Sequence, residues 1–278
     1  MTEMRLACGA GSLDLSAPVV MGIVNVTPDS FADGGRYVNT SAAVAHAERL
    51  LAEGAALVDI GGESSRPGAD PVSAAEEVDR VVPVIERLAP SGAVISIDTS
   101  KPVVMRAAVA AGATFINDIR GLRDPEALAA ACGLPAAISI MHMQGEPATM
   151  QRHPSYRDVV SEVRDFLSNR AQACLAAGAA AERIVLDPGF GFGKDIYHNL
   201  QLLRDLPQIV ALGFPVLVGL SRKSMLGQLT GRAVDERLAG SVALATVSVL
   251  RGARIVRAHD VAATVDAIKV ATALMEEG

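Results

Sequence analysis

Residues 93–121 read AVISIDTSKPVVMRAAVAAGATFINDIRG and contain two short apolar runs separated by a stretch typical of a helix. Each apolar run ends in a polar residue that can take part in chemistry, Asp98 in the first and Asn117 in the second. Short apolar strands that alternate with helices favour a parallel sheet covered on both faces. The stretch therefore predicts one strand–helix–strand unit with functional side chains at the ends of its strands.

The same pattern recurs along the rest of the chain. Six further apolar runs end in polar clusters: VVMGIVNVTPDSF (19–31), ALVDIGGESSRPG (56–68), AAISIMHMQG (136–145), RIVLDPGFGFGK (183–194), PVLVGLSRKS (215–224) and ARIVRAHD (253–260). The eight runs predict strands near residues 19–25, 57–61, 94–98, 114–117, 136–141, 183–187, 215–219 and 254–257. Eight such units imply a closed (β/α)8 TIM barrel, an α/β fold that gathers the carboxyl ends of all strands around one pocket.

Length and composition agree with a barrel. The chain has 278 residues, and one such barrel typically needs about 250, so we expect a single domain over residues 1–278. Half of the residues are hydrophobic and only 3% are aromatic, so aliphatic side chains must build the core. Residues 5–16, RLACGAGSLDLS, have a glycine-rich turn between apolar arms and predict an N-terminal β-hairpin that closes the bottom of the barrel.

Several segments carry helix signals. Ser73 and Glu76 have the spacing of a capping box, and Asp124 before Pro125 is typical of a helix start. From Ser155 onward, apolar residues recur at helical spacing, and residues 261–275 also favour a helix. In the segment that begins at Ser155, the apolar residues at this spacing are Tyr156, Val159, Val160, Val163 and Leu167.

Two connections between strands and helices are long and polar, Thr27 to Asn39 and Glu63 to Val72. Long loops in a compact domain are usually functional, and we expect these two to be mobile lids over the pocket.

Charge and cysteine content exclude some classes of function. The net charge of -6 argues against general nucleic-acid binding, which usually needs a basic face. The three cysteines, Cys8, Cys132 and Cys174, share no metal-like spacing and are expected to be reduced thiols. The N-terminus has no signal-peptide pattern, and no stretch has the roughly 20 apolar residues that a membrane span needs. We expect a cytoplasmic protein that does not bind membranes.

Acidic and amide side chains end three of the predicted strands: Asp98, Asn117 and Asp187. A carboxylate at the mouth of a barrel is costly unless it is paired or hydrogen-bonded. A flat heterocycle with a row of N–H donors, such as a 2-amino-4-oxo ring, would satisfy such acceptors. The alternative is that these residues only cap turns.

The glycine-rich run DPGFGFGK at 187–194 is not a phosphate-binding P-loop. Pro188 stands where that loop needs its first glycine, and Asp195 follows Lys194 where Ser or Thr is required. Its glycines also lack the spacing of a dinucleotide fingerprint. We expect them to let the backbone and Phe192 approach a flat ligand closely.

Basic side chains follow the last two strands. Residues 221–224 read SRKS and residues 257–259 read RAH, and the loops after strands seven and eight of a barrel frequently bind phosphate. Arg222, Lys223, Arg257 and His259 therefore predict an anion site. Asn25 ends the first strand, and its amide oxygen suits Mg²⁺, which takes few protein ligands and completes its shell with water and substrate phosphates.

Taken together, these motifs resemble those of the dihydropteroate synthases, the folate-pathway enzymes that sulfonamides inhibit. MGIVNVTPDSFADGG (21–35) and DIGGESSRPGA (59–69) look like the two family signatures. The shorter motifs IDTSKP, INDI, MHMQG, DPGFGFGK, GLSRKS and R-x-H follow in the family's order and spacing, so the resemblance covers nearly the whole chain.

The resemblance implies an enzyme that joins 6-hydroxymethyl-7,8-dihydropterin pyrophosphate to p-aminobenzoate and releases pyrophosphate. The implied pterin contacts are Asp98, Asn117, Asp187 and Lys223. The implied pyrophosphate contacts are Asn25, acting through Mg²⁺, with Ser65, Arg66, Arg257 and His259. The implied p-aminobenzoate contacts are Phe31, Ser65, Arg66, Pro67, Phe192 and Ser221. The implied catalytic set is Asp98, Asp187, Lys223, Arg257 and His259.

The same resemblance implies a dissociative route, in which pyrophosphate leaves before the arylamine attacks, and a homodimer for which the helix near 239–250 is a candidate surface. The chain departs from the family at Ser65, where Thr is usual, so the hydroxyl remains and a methyl contact is lost. Two alternatives stay open: a pterin-binding domain of a corrinoid-dependent methyltransferase, and a catalytically silent paralogue that only binds.

Overall fold

The computed structural model describes residues 4–26, 36–64 and 70–276. Eight parallel strands form one sheet: β3 (Val19–Asn25), β4 (Leu57–Gly61), β5 (Val94–Asp98), β6 (Phe115–Asp118), β7 (Ala137–Met141), β8 (Ile184–Asp187), β9 (Leu217–Val218) and β10 (Ile255–Ala258). Their order is β8-β7-β6-β5-β4-β3-β10-β9. A parallel bridge between Leu186 and Val216 joins the two outer strands. The predicted TIM barrel is confirmed, and every predicted strand lies within two residues of an observed one.

Helices surround the barrel, and at least one helix follows each of its strands. They are α1 (Arg36–Ala52), α2 (Ala74–Leu88), α3 (Pro102–Ala110), α4 (Pro125–Gly133), α5 (Val159–Ala176), α6 (Ile196–Arg204), α7 (Pro207–Val210), α8 (Ser224–Thr230), α9 (Leu238–Leu250) and α10 (Val261–Glu276). Short 3₁₀ turns occupy Ala89–Ser91, Ala181–Arg183 and Val234–Glu236. No described helix combines the length and the apolar character that crossing a membrane requires.

The N-terminal hairpin closes the barrel floor, as predicted. Strands β1 (Arg5–Cys8) and β2 (Gly11–Asp14) pair antiparallel. Their buried side chains pack against the first inward-facing residues of the barrel strands, and this floor cluster comprises Leu6, Cys8, Leu13, Leu15, Met21, Leu57, Phe115, Ala137, Val185, Leu217 and Ile255. One end of the barrel is therefore filled with hydrocarbon.

Two residues farther along each strand, the barrel interior becomes polar. Because side chains alternate across a strand with a period of two, this second layer follows directly above the floor and comprises Ile23, Asp59, Ser96, Asn117, Ser139, Asp187, Gly219 and Arg257. A third layer at the rim includes Asn25, Gly61, Asp98, Met141 and His259. The strand pattern thus places hydrocarbon at one end of the barrel and ionisable groups at the other.

Local signals set the helix starts, with three differences from the predictions. Ser73 caps α2 through the Glu76 amide, but the Glu76 carboxylate pairs with Arg80 instead of completing a capping box. Helix α5 begins only after Asp158, so Tyr156 precedes it. The connection from Thr27 ends earlier than Asn39, because residues 36–39 already belong to α1.

Asp124 caps α4 as predicted, accepting bonds from the Glu126 and Ala127 amides. All three cysteines are buried and carry free thiols, in agreement with the prediction of reduced cysteines.

Candidate active site

The second layer is organised around Arg257, which β10 carries into the barrel interior. Its Nε donates to Asp59 Oδ2 at 2.6 Å, and its Nη2 donates to Asp98 Oδ2 at 3.0 Å. Asp59 is fully buried, whereas 16% of the Asp98 side chain is exposed. One guanidinium therefore bridges a deep carboxylate and a carboxylate at the rim.

Two neighbouring polar side chains support the deep carboxylate. Ser96 Oγ donates to Asp59 Oδ1 at 2.5 Å, and Asn117 Nδ2 donates to Asp59 Oδ2 at 3.1 Å. The Oδ1 of Asn117 is buried and accepts no hydrogen bond from any described residue. The predicted residue Asn117 thus has one amide group fixed by Asp59 and an acceptor oxygen left over.

Burial and like charge shift the pKa of Asp98. Desolvation and the nearby Asp59 carboxylate raise the pKa of Asp98 to about 7, although Arg257 opposes the shift. Burial likewise raises the pKa of Asp187 to about 6, against the amide of Gly189 and the charge of Lys223. Both groups therefore titrate near neutral pH.

Lys223 lies close to the same carboxylates. Burial and the charge of Arg257 lower its pKa to about 8, while Asp187 and Asp98 oppose that change. Its Nζ lies 4.1 Å from the centre of the Phe192 ring, which is a cation–π contact. The structure therefore brings together the predicted residues Asp98, Asp187, Lys223 and Phe192.

His259 forms the outer part of the predicted anion site. The Ser221 hydroxyl lies 3.0 Å from His259 Nδ1 and accepts the His259 backbone N–H at 3.2 Å. Burial and the charges of Arg257 and Arg222 lower the pKa of His259 to about 4, so the ring is neutral at pH 7. A neutral ring carries one proton, and the Ser221 hydroxyl donates to Nδ1 when that proton is on Nε2 and accepts from Nδ1 otherwise. Ser221, which was predicted to contact p-aminobenzoate, thus orients His259.

Arg222 does not join the anion site as predicted. Its Nε donates to Asp260 Oδ2 at 3.0 Å and its Nη2 contacts Asp260 Oδ1 at 2.5 Å. The bidentate fork that would have held a phosphate is therefore occupied by a carboxylate of the same chain.

Asn25 lies at the rim beside Asp98. A methyl group placed on Gly61 would lie 3.9 Å from Asn25 Oδ1 and 3.8 Å from Asp98 Oδ2, so the glycine leaves space next to both oxygens. Hard oxygen donors of this kind suit Mg²⁺. The described residues include no group of three or more His, Cys, Asp or Glu side chains that could hold a metal, so most of the shell would come from elsewhere.

Four of the predicted site residues lie outside the described residues: Phe31, Ser65, Arg66 and Pro67. The base of the second long connection is described. Lys101 Nζ donates to Glu63 Oε2 at 2.6 Å and also contacts the buried Glu77, and Glu63 Oε1 accepts the Val72 amide at 3.1 Å. Glu63 therefore ties the two ends of this connection together.

Sequence reasoning missed three residues of the site region. Asp59 lies within a strand and not at its end, so attention to strand ends passed over it. Lys101 and Lys194 stand inside recognised motifs, where each was assigned no role. The signal for Asp59 was present in the sequence, since it lies two residues after Leu57 and therefore shares its inward face.

Comparisons with known proteins show the family of the chain. Residues 21–259 match the family of pterin binding enzymes. A dihydropteroate synthase from Haemophilus influenzae is 50% identical over 268 residues, which is 96% of this chain and 98% of that protein.

Solved structures give the same result. A dihydropteroate synthase from Xanthomonas albilineans with 4-aminobenzoic acid has a TM-score of 0.93 at 53% identity, covering 99% of both chains. The enzyme from Burkholderia cenocepacia complexed with 7,8-dihydropteroate has a TM-score of 0.89 at 50% identity, covering 100% of this chain and 98% of that one. The chain therefore belongs to the pterin-binding enzyme family and, within it, to the dihydropteroate synthases.

Proposed function

We propose that this chain forms 7,8-dihydropteroate from 6-hydroxymethyl-7,8-dihydropterin pyrophosphate and p-aminobenzoate by a dissociative, Mg²⁺-assisted substitution. The observation that carries this proposal is the meeting of Asp98, Asn117, Asp187, Lys223 and Arg257 in one polar region of the barrel. The same arrangement gives each substrate fragment a chemically suitable partner.

The pterin ring is assigned to the deepest polar groups. A 2-amino-4-oxo heterocycle offers N–H donors on one edge, and the carboxylate of Asp187 and the unpartnered Oδ1 of Asn117 are acceptors. Lys223 supplies a donor for the ring carbonyl, and Asp98 is assigned to the opposite edge. An acceptor left unpaired inside a protein is costly, so a ligand donor there gains affinity and specificity.

The charge of this region favours a cationic intermediate. When ionised, the three carboxylates of Asp59, Asp98 and Asp187 outnumber the two cations Lys223 and Arg257. Fixed negative charge near the exocyclic methylene would stabilise positive charge as it develops. This balance supports departure of pyrophosphate before attack by the amine.

The pyrophosphate is assigned to His259, Arg257 and Mg²⁺ at Asn25. Because Arg257 already pairs with two carboxylates, it contributes little unbalanced positive charge, and neutral His259 contributes a single N–H donor. A bound Mg²⁺ would supply the charge that these residues lack and polarise the leaving oxygens.

The proposed step balances without a protein nucleophile. The C–O bond breaks and its electron pair leaves with pyrophosphate. The p-aminobenzoate nitrogen then forms the C–N bond and releases one proton. Phe192, next to Lys223, is assigned to the amine's ring together with Phe31, Ser65, Arg66 and Pro67, and closure of the two long connections would exclude water from the cation.

Two further proposals concern the whole protein. We assign it to the cytoplasm and to a homodimer formed through α9 and the neighbouring α10. Large apolar side chains are exposed on these helices: Leu238, Val247, Leu250, Val270, Leu274 and Met275. Light scattering at two protein concentrations tests this state, and a monomer at both would reject it.

A direct assay tests the reaction. The chain is incubated with pterin pyrophosphate, labelled p-aminobenzoate and Mg²⁺, and labelled dihydropteroate and pyrophosphate are measured together. Equimolar formation of both supports the proposal. Binding of the pterin without either product would instead favour a silent paralogue, and methyl transfer to a corrinoid would favour the other alternative.

A further inference from the structure

The glycine-rich segment Gly189–Gly193 after β8 is held in one conformation by side chains from outside it. Asp187 accepts the Gly189 amide, Asn199 accepts the Gly191 amide and Tyr156 donates to the Gly193 carbonyl, each at 2.7 Å. Gln151 also donates to the Gly191 carbonyl. A segment of three glycines is intrinsically permissive. The external bonds therefore fix what the glycines alone would leave free.

A further restraint is the buried amino group of Lys194. Lys194 is only 2% exposed, and its Nζ lies 2.9 Å from the Gly189 carbonyl, 3.1 Å from the Phe192 carbonyl and 2.9 Å from His142 Nδ1. The His142 carbonyl oxygen, 3.4 Å from Nζ, is a fourth acceptor, and burial lowers the pKa of Lys194 to about 7. These hydrogen bonds thus clamp both ends of the segment to the histidine that follows β7.

The segment lies directly on that neighbouring strand end. At Gly189 the backbone has φ of +67°, and a Cβ there would lie 1.8 Å from the His142 carbonyl oxygen. At Gly193, with φ of +60°, a Cβ would lie 2.4 Å from the Gln144 carbonyl oxygen. Such close backbone approach leaves the ammonium enclosed, so Lys194 does not face the substrate pocket.

The other side of the segment faces the active site. The Lys223 ammonium lies over the Phe192 ring, and a Cβ on Gly191 would lie 3.1 Å from Lys223 Cδ. Lys223 therefore rests on the segment that Lys194 holds from behind. A displacement of the segment would move both Phe192 and the Lys223 ammonium.

We propose that Lys194 is a positioning residue of the reaction, with His142 as the acceptor that completes its shell. Its hydrogen bonds keep Gly189–Gly193 in place, so that Phe192 and Lys223 meet the substrates in the right geometry. This inference rests on the proposed function for its effect on turnover, but its structural part can be measured without any substrate.

The chain has no tryptophan, so Phe192→Trp supplies a single fluorescent reporter on the segment. In this background we compare Lys194→Met, which fills the space without the hydrogen bonds, with Lys269→Met, the same change at an exposed position on α10. Loss of the clamp is expected to increase acrylamide quenching of the reporter fluorescence at least twofold. Lys269→Met should leave quenching unchanged.

Turnover is measured in the chain with Phe192 intact. Lys194→Met is expected to lower kcat/KM for the pterin substrate tenfold or more while circular dichroism stays that of the folded protein. A folded Lys194→Met protein with unchanged quenching and normal kcat/KM would overturn the proposal. If the wild-type chain makes no dihydropteroate, the proposed function fails, and the quenching experiment still decides whether the clamp exists.

A second pair of variants serves if Lys194→Met does not fold. His142→Asn keeps an acceptor close to the position of Nδ1, whereas His142→Leu has similar size and no acceptor. Wild-type values of acrylamide quenching and kcat/KM in the Asn variant, with increased quenching and lowered kcat/KM in the Leu variant, support the clamp. Equal behaviour of the two variants contradicts it.

Discussion

The Arg257 guanidinium and the Asp59 carboxylate lie 198 positions apart in sequence and form a 2.6 Å ion pair inside the barrel. Strand β3 separates the two strands that carry them, so the pair reaches across the interior. The bond fixes one edge of the guanidinium and leaves the other edge to Asp98. Asp59 therefore sets the orientation of a residue assigned to the leaving group.

Removing the deep partner should be costly. Asp59→Asn would leave Arg257 with one carboxylate partner, Asp98 at the rim. Removing one partner of a buried ion pair typically costs about 3–5 kcal/mol. We expect the free energy of unfolding in urea to fall by an amount of that order, and turnover to fall with it. Asp70→Asn, at an exposed carboxylate, is the matched control and should change neither quantity. Wild-type stability in Asp59→Asn would show that Arg257 does not depend on this pair.

Asp98→Asn should stabilise the protein at alkaline pH. Because burial raises the pKa of Asp98 from 3.8 to about 7, the folded protein holds a proton there that the unfolded chain has lost. The contribution of this group to stability is complete below pH 3.8 and is lost as the pH rises through about 7. The Asn variant cannot ionise, so we expect it to exceed the wild type by about 1–3 kcal/mol at pH 8.

Urea unfolding at several pH values measures this difference, which should shrink as the pH falls below 7. A variant that is less stable than wild type at pH 8 would mean that the charge of Asp98 is a net benefit. Turnover should drop sharply in either case, because the variant loses the carboxylate assigned to the pterin.

Lys223 should control the alkaline limb of activity. Burial lowers its pKa to about 8, so the ammonium loses its proton as the pH rises through that value. We expect kcat/KM to fall above pH 8 in the wild type. Lys223→Arg keeps its charge to high pH, so whatever activity it retains should not decline there. A decline at the same pH in both proteins would assign the limb to another group.

The two arginines that follow the last strands should differ in effect. Arg222→Gln breaks a bond to Asp260 at the surface of the site, and we expect kcat/KM to fall by less than about tenfold, which is 1.4 kcal/mol. Arg257→Gln removes the cation of the second layer and should lower kcat/KM at least a hundredfold. Steady-state kinetics on both folded variants makes the comparison, and equal losses would place Arg222 in the anion site after all.

Removal of Mg²⁺ should weaken only the binding of the pyrophosphate part of the substrate. Since the metal is assigned to the pyrophosphate, chelation is expected to weaken binding of a pterin that carries pyrophosphate by tenfold or more. Binding of the bare pterin should not change. Calorimetry with both ligands, with and without chelator, measures this, and an equal loss for the two would move the metal away from Asn25.

The sequence was a good guide to the fold for a physical reason. In a parallel barrel each strand is a short apolar run and most of the functional residues lie at its carboxyl end, so strand ends and most site residues are marked together. The hairpin was equally visible, because its glycine-rich turn and alternating arms have no other simple interpretation.

What the sequence did not reveal depends on side-chain pairing in three dimensions. Arg222 and Arg257 look alike as strand-end cations, and only the contact with Asp260 removes the first from the anion site. Tyr156 fits the helical spacing of α5, yet it lies before the helix, and its hydroxyl donates to the Gly193 carbonyl of the glycine-rich segment at 2.7 Å. Lys194 is a polar residue by composition and a core residue by position.

The hydrocarbon plug beneath the barrel has a kinetic consequence. Because the hairpin closes the floor, the layer that holds Asp59 and Asn117 is the deepest part of a pocket that ligands enter from the rim. A heterocycle bound in that layer is covered by any ligand that binds nearer the rim. With the proposed substrates, the pterin would then have to bind before the arylamine. The coupled product would have to dissociate as one molecule before another turnover could begin.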